Sequence, residues 1–193
     1  MHEPVLRRQV MRWGAFSATG LVWSGAVEAT AECDETEDNI EGPYYKAGAP
    51  ERDALLEKGM PGIRLEVRGR VLNTRCEPIP NAILDVWHCD DKGAYDNTGY
   101  VYRGRIQADR RGNYVIRTIV PPPYKVSETS TRPAHLHLKL SGKDTKLLTT
   151  QLYFKGDRFN TVDRAYRKSL EINPVDDGKG GRKANFDFHL KTA

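Results

Sequence analysis

His135-Leu136-His137 is the stretch of this chain with the most direct chemical potential. In an extended strand, residues i and i+2 point to one face, so both imidazoles would project together, as a metal site requires. Alone the pair is weak evidence, because two histidines on a strand often have no ligand to hold. Zinc would draw its remaining ligands from Cys, His or carboxylates. Cys89 is the nearest cysteine, and no His–carboxylate signature accompanies the pair. Tyrosine is the abundant oxygen donor, at nine residues. A phenolate is a hard anionic ligand, better matched to iron(III) than to copper(I) or zinc, and tyrosinate ligates iron in some haem enzymes. Tyr95 follows Lys92-Gly93-Ala94, where glycine permits close backbone approach, and Tyr124 ends the stiff Pro121-Pro122-Pro123 run. Spacing alone does not choose these two tyrosines from the nine.

Such side chains need strands and rigid loops to carry them, and the pattern supplies both. Residues 63–71 alternate apolar and polar with period two, the mark of a half-buried strand. Residues 82–87 form a mostly apolar run suited to an inner strand, and 135–140, 148–154 and 185–190 read as further strands. Residues 104–108 and 114–119 flank Asp109-Arg110-Arg111-Gly112, which predicts a hairpin. Helical signals are sparse: a turn at 54–58, stopped by Gly59 and Pro61, and one helix over 163–170. Many short strands with turn signals between them predict an all-β chain, a β-sandwich with few short helices.

Further stretches accompany the histidine pair in a fixed order: Glu41-Gly42-Pro43-Tyr44-Tyr45, Gly69-Arg70-Val71, Leu84-Asp85-Val86-Trp87-His88, Gly93-Ala94-Tyr95, Arg103-Gly104-Arg105, residues 114–124, Arg132-Pro133-Ala134-His135-Leu136-His137 and Leu148-Thr149-Thr150-Gln151. Together they resemble the intradiol ring-cleavage dioxygenases, the family of catechol and protocatechuate dioxygenases. Arg-Pro-Ala-His-x-His with an upstream Pro-x-x-Tyr is the most specific part. The resemblance covers about residues 41–154.

That resemblance implies a transthyretin (prealbumin)-like sandwich carrying a non-haem Fe(3+). Tyr95 and His135 would be equatorial ligands, and Tyr124 and His137 axial ones. It implies that O2 opens a catechol-type diol to a cis,cis-muconate-type dicarboxylic acid. Catechol would displace Tyr124, which carries off a proton. Arg132 would stabilise negative charge developing near the ring, and Gln151 would help position the reacting oxygen. Tyr44 and Ile119 would bind substrate. Side chains alternate along an extended segment, so only one of Tyr44 and Tyr45 can face inward; Tyr44, after the rigid Pro43, is the one expected. No stretch matches the long helical segment through which catechol dioxygenases dimerise, so the pocket is expected to be open and to tolerate bulky catechols. His88 stands where a glutamine-like residue is expected and reads as core packing, as does Trp87; His2 and His189 are not expected to bind metal.

Two other classes compete. A sandwich of this kind can act as a binding module without chemistry, but such a module has no reason to keep four ligands together with Arg132 and Gln151. A zinc hydrolase built on the histidine pair lacks a third ligand of the usual type and a general base.

The 193 residues suit one domain, and 38% hydrophobic with 29% charged residues reads as globular. The formal charge of +4 arises from 30 basic and 26 acidic residues that are interspersed, which argues against nucleic-acid binding. Arg7, Arg8 and Arg12 precede a modestly apolar run from Trp13 to Val27 and then Ala29-Thr30-Ala31. This is a secretory layout, with paired arginines suggesting the twin-arginine type. The expectation is a signal over residues 1–31, a catalytic domain over 32–193, export to the periplasm or beyond, and no membrane span afterwards. In an oxidising compartment Cys33 and Cys76, both in polar turn-like surroundings, are the expected disulfide, with Cys89 free.

Overall fold

A computed structural model describes residues 32–193; the expected signal lies outside the described residues. Their strands are β1 (Arg64–Asn73), β2 (Ile83–Trp87), β3 (Arg103–Gln107), β4 (Asn113–Ile119), β5 (Tyr124–Lys125), β6 (Thr131–Arg132), β7 (His135–Ser141), β8 (Leu148–Phe154), β9 (Glu171–Ile172), β10 (Val175–Asp176), β11 (Arg182–Asn185) and β12 (Phe188–Leu190). Two single-turn 3-10 helices, Asn160–Val162 and Lys168–Leu170, complete the regular structure. Among the described residues no helix is long and apolar enough to cross a membrane.

Two five-stranded sheets share one core. In the first, the order is β3-β2-β7-β8-β9, antiparallel except for the parallel β8–β9 edge. In the second, β1 pairs antiparallel with β4 and parallel with β11 and β12. Leu84 and Val86 of β2, Leu136, Leu138 and Leu140 of β7 and Leu148 and Leu152 of β8 bury against Leu65, Val67, Ile116 and Phe188 of the other sheet. Period-two geometry then sends Asp85, Trp87, His135, His137, Lys139, Gln151 and Tyr153 to the opposite, outer face of the first sheet.

That outer face is roofed by the segment before β1. Its start is fastened by the Cys33–Cys76 disulfide, with Cα atoms 5.4 Å apart; Cys89 is free and buried. Thr36 N–H then donates to His189 O at 3.1 Å, and Asn39 N–H to Thr149 O at 2.8 Å.

Three local expectations need correction. The turn at 109–112 does form: Asp109 N–H donates to Asn113 O at 2.8 Å, and the Asp109 carboxylate accepts Arg111 and Asn113 N–H. The flanking strands nevertheless separate, β3 pairing with β2 and β4 with β1, so the turn bridges the two sheets. No helical turn forms over 54–58, because Leu55 N–H donates to Arg117 O at 2.9 Å and the fully buried Leu55 is drawn into the core. The helix expected over 163–170 is a series of tight turns ending in one 3-10 turn. The Asp163 carboxylate takes the Ala165 N–H at 2.8 Å, the local competition by which Asp disfavours helix interiors.

Candidate metal centre

β7 presents His135 and His137 side by side, with Nε2 atoms 3.1 Å apart. His135 Nδ1 lies 2.7 Å from Pro133 O, which assigns the proton to Nδ1 and leaves a lone pair on Nε2. Pro133 thus sets the tautomer of the imidazole that follows it. Register across the sheet puts Trp87, His137 and Gln151 in one row and His135 beside Tyr153. Trp87 stacks on His137, ring centroids 4.9 Å apart and planes 7° from parallel. It is buried as expected, but against a histidine on the outer face and not between the sheets.

Tyr95 and Tyr124 reach the histidines from two loops. Tyr95 Oη lies 3.5 Å from His135 Nε2. Its loop, between β2 and β3, is shaped by Asp96, whose carboxylate accepts Thr98, Gly99 and Val101 N–H. Gly93, at φ +85°, lets this loop lie against Tyr124; a Cβ there would sit 2.8 Å from that of Tyr124. Tyr124 follows the proline run onto β5, directly opposite Arg132 on β6. Its ring stands edge-on to that of Tyr95 at 5.5 Å and lies 5.6 Å from that of His135.

The electrostatics suit a hard cation. Burial, then the Arg132 charge, pushes His135 down to about 3. Burial, then His135, holds His137 well below the ordinary imidazole value. Both rings are therefore neutral near pH 7, the form that ligates metals. Burial, with Tyr124 nearby, raises the Tyr95 phenol, and burial raises Tyr124 against the opposing influence of Tyr95 and Arg132. Phenols in such surroundings become ligands only where a cation offsets the cost of ionising them. The separations agree: two donors about 2.1 Å from an ion, at right angles, lie about 3 Å apart. Among the described residues no group of three His, Cys, Asp or Glu could hold a metal, so the phenols are what this histidine pair has to complete a site.

Arg132 is bound to the cluster. Its Nη1 lies 3.1 Å from His135 Nε2, and its Nη2 donates to Gln151 Oε1 at 2.9 Å. Gln151 Nε2 donates to Ile40 O at 2.7 Å, so this amide also pins the roofing segment. Two residues further, Gly42 at φ +73° lies against His137, where a Cβ would come within 3.3 Å of Cε1. Tyr44 stacks on Tyr95, and Tyr45 turns the other way, against Trp87, with Oη donating to Asp85 at 3.1 Å. Ile119 lies elsewhere: fully buried at the end of β4, in the opposite sheet, it packs over Gly62. Its contacts give the substrate-binding expectation no support, because the chain must still traverse the proline run before reaching Tyr124. His88 is buried, with Nδ1 2.6 Å from Cys89 O and Nε2 2.5 Å from Thr118 Oγ1, in keeping with a packing role.

Arg103, Asp163 and Tyr153 belong to the site without having been singled out for it. Arg103, 1% exposed, donates to Asp96 O at 2.9 Å and Tyr44 O at 2.5 Å, tying the Tyr95 loop to the roof. An arginine beside glycine carries no periodic signal of burial. Asp163 was hidden by its helix-like context, and Tyr153 by its place in a strand rich in apolar residues.

Comparison with known proteins shows the family. A family model described as a dioxygenase matches residues 40–192. The chain is 34% identical over 159 residues to a catechol 1,2-dioxygenase of Pseudomonas sp. (strain EST1001), covering 71% of this chain and 53% of that protein. It is 31% identical over 186 residues to a chlorocatechol 1,2-dioxygenase of Rhodococcus opacus, covering 81% and 72%. The chain thus spans between about half and three quarters of these relatives' length. Among solved structures, the dioxygenase domain of a dioxygenase–carbohydrate-binding fusion from Streptomyces sp. SirexAA-E superposes with a TM-score of 0.75 at 39% identity, covering 83% of this chain and 100% of that one.

Proposed function

Because the chain belongs to the intradiol ring-cleavage dioxygenase family, we propose that it opens a catechol-type diol between its hydroxylated carbons at a non-haem iron(III) centre. Both atoms of O2 enter the product, a cis,cis-muconate-type dicarboxylic acid. The observation that carries this reading is the approach of His135 Nε2 to His137 Nε2 at 3.1 Å and to Tyr95 Oη at 3.5 Å, with Tyr124 edge-on to Tyr95.

Iron(III), when bound by Tyr95, Tyr124, His135 and His137, would draw electron density from a chelated catecholate and make its ring reactive toward O2. The protein's own groups do the rest. Tyr124 Oη, ionised when it holds the metal, would take one of the two protons of the arriving diol, the other passing to solvent. The Arg132 guanidinium, buried beside His135, holds negative charge as it develops on the substrate; in a water-poor site such fixed charge acts strongly. Gln151, fixed by Arg132 and Ile40 O, presents its amide beside His137 without needing to reorganise. The roof over Gly42 to Tyr45 limits water over the histidines.

The test is turnover of catechol and substituted diols under 18O2 by the iron-loaded protein. Ring-opened dicarboxylic acid carrying two labelled oxygens, from a coloured protein, is expected. A semialdehyde product, or no product from a protein with full iron occupancy, would sink the proposal.

Export is proposed on the arginine-led N-terminal layout, and the Cys33–Cys76 disulfide supports it, since such bonds persist in oxidising compartments. N-terminal sequencing of the native protein should begin close after Ala31; a chain that keeps Met1 would remove this reading.

A further inference from the structure

Resting on the function proposed above, we infer that Asp163 is a positioning residue for Arg132, clamping the guanidinium in the orientation that ring opening requires. The guanidinium has five N–H donors. Three hydrogen bonds hold it, Nε to Asp163 Oδ2 at 3.0 Å and Nη2 to Gln151 Oε1 at 2.9 Å and Tyr153 Oη at 3.3 Å, while Nη1 lies beside His135 Nε2 at 3.1 Å. Asp163 is the one formal anion among these partners. The pair is largely shielded from solvent, with side chains 13% and 8% exposed. Desolvation offsets much of the attraction in a pair so shielded, so stability alone is a weak reason for it.

Asp163 is itself held in place. Its Oδ1 accepts the Ala165 N–H at 2.8 Å, so its two oxygens have separate tasks. The chain of contacts then closes on itself. Asn39 Nδ2 donates to Ala165 O at 2.7 Å, Gln151 Nε2 to Ile40 O at 2.7 Å, and Gln151 Oε1 accepts from Arg132. This ring joins the roofing segment, β6, β8 and the turn after Val162 around one guanidinium. Without the carboxylate the guanidinium loses both its counter-charge and the contact that orients Nε, the side of the fork facing away from His135.

The experiment compares Asp163→Ala and Asp163→Asn with wild type, with kcat expressed per bound iron. Asp163→Ala should lower kcat about tenfold or more, because a small misplacement of a catalytic charge has effects of that order, while KM changes far less and the iron absorption persists. Asp163→Asn keeps one acceptor but faces Ala165 N–H with a donor, so it should restore part of the loss. A second readout needs no turnover. Phenylglyoxal labelling, mapped to Arg132 by peptide mass spectrometry, should be several-fold faster in Asp163→Ala than in wild type. Unchanged kcat per iron in both variants, a change confined to KM, or unaltered Arg132 labelling would overturn the inference. If the wild-type protein opens no diol, the proposed function fails separately, and labelling alone decides whether Asp163 clamps Arg132.

Discussion

The rings of Tyr44 and Tyr95 lie face to face, with centroids 4.2 Å apart and planes 14° from parallel. One comes from the segment that roofs the outer sheet face, the other from the β2–β3 loop. Arg103 fastens both backbones, through Tyr44 O and Asp96 O. The stack therefore links the roof to a proposed metal ligand, and disturbing either ring should be felt by the other.

Tyr44→Ala should lower kcat/KM for unsubstituted catechol by about 2- to 10-fold, the range expected for one aromatic pair. It should also shift the preference toward larger diols. Tyr44→Phe keeps the stack and should stay near wild type. Kinetics across small and bulky diols decide this; an unaltered substrate ranking in the alanine variant would remove Tyr44 from the pocket.

Arg132→Ala should lower turnover while leaving the iron absorption in place, because Arg132 contacts ligands without being one. It also leaves the shielded Asp163 carboxylate without its counter-charge, so a stability loss of about 1–3 kcal/mol should accompany it. Arg132→Lys keeps the charge but not the planar fork and should remain impaired. Loss of colour in both variants would assign Arg132 to building the site.

Iron(III) loading should release about two protons per site near neutral pH, one from each raised phenol. The histidines add none, since both are already neutral there. Apparent affinity should accordingly rise with pH. Proton release measured in weak buffer would contradict phenolate ligation if it were absent, and either Tyr95→Phe or Tyr124→Phe should reduce it by one.

Asp96 predicts an acid-sensitive loop. Backbone N–H groups of Val101, Gly99 and Thr98 hold its carboxyl well below the ordinary range. A depressed folded-state pKa contributes stability that is present above the unfolded value of about 4 and is lost as pH falls through the folded one. Iron-free Asp96→Asn should therefore be less stable than wild type at pH 7, with the gap closing in acid. A gap that does not vary with pH would show that the charge is irrelevant.

Replacing Cys33 and Cys76 together by Ser should reduce stability by about 2–4 kcal/mol, since the bond closes a loop of sequence separation 43. Denaturant unfolding of oxidised wild type and the double variant measures this. Equal midpoints would mean that the roof is anchored by its backbone bonds alone.

Much of the architecture could be read from the chain, because strands announce themselves locally. The period-two run at 63–71 and the apolar run at 82–87 became β1 and β2, and His135-Leu136-His137 had to share a face once it was extended. The choice of Tyr95 and Tyr124 came from resemblance to a family, not from spacing. The pairing of Cys33 with Cys76 followed from polar surroundings that both share, and Tyr44 and Tyr45 had to diverge because alternation forces it.

Pairing partners were decided elsewhere. Residues 104–119 carry a good hairpin turn, yet β3 and β4 enter different sheets, β3 pairing with β2 and β4 with β1, so that their inner faces meet across the core. Residues 163–170 have helix-forming composition, but the Asp163 carboxylate serves Ala165 N–H and Arg132 instead of leaving the backbone to helical bonds. The sequence by itself determined which residues alternate, which turns are tight and which histidines stand together, since those depend on neighbours a few positions away. Only the tertiary structure decided that Asn39, Arg103 and Asp163 meet around that pair and Arg132. Their contacts join residues up to 126 positions apart, and no local pattern encodes a hydrogen bond whose donor and acceptor are brought together only when the whole sandwich has closed.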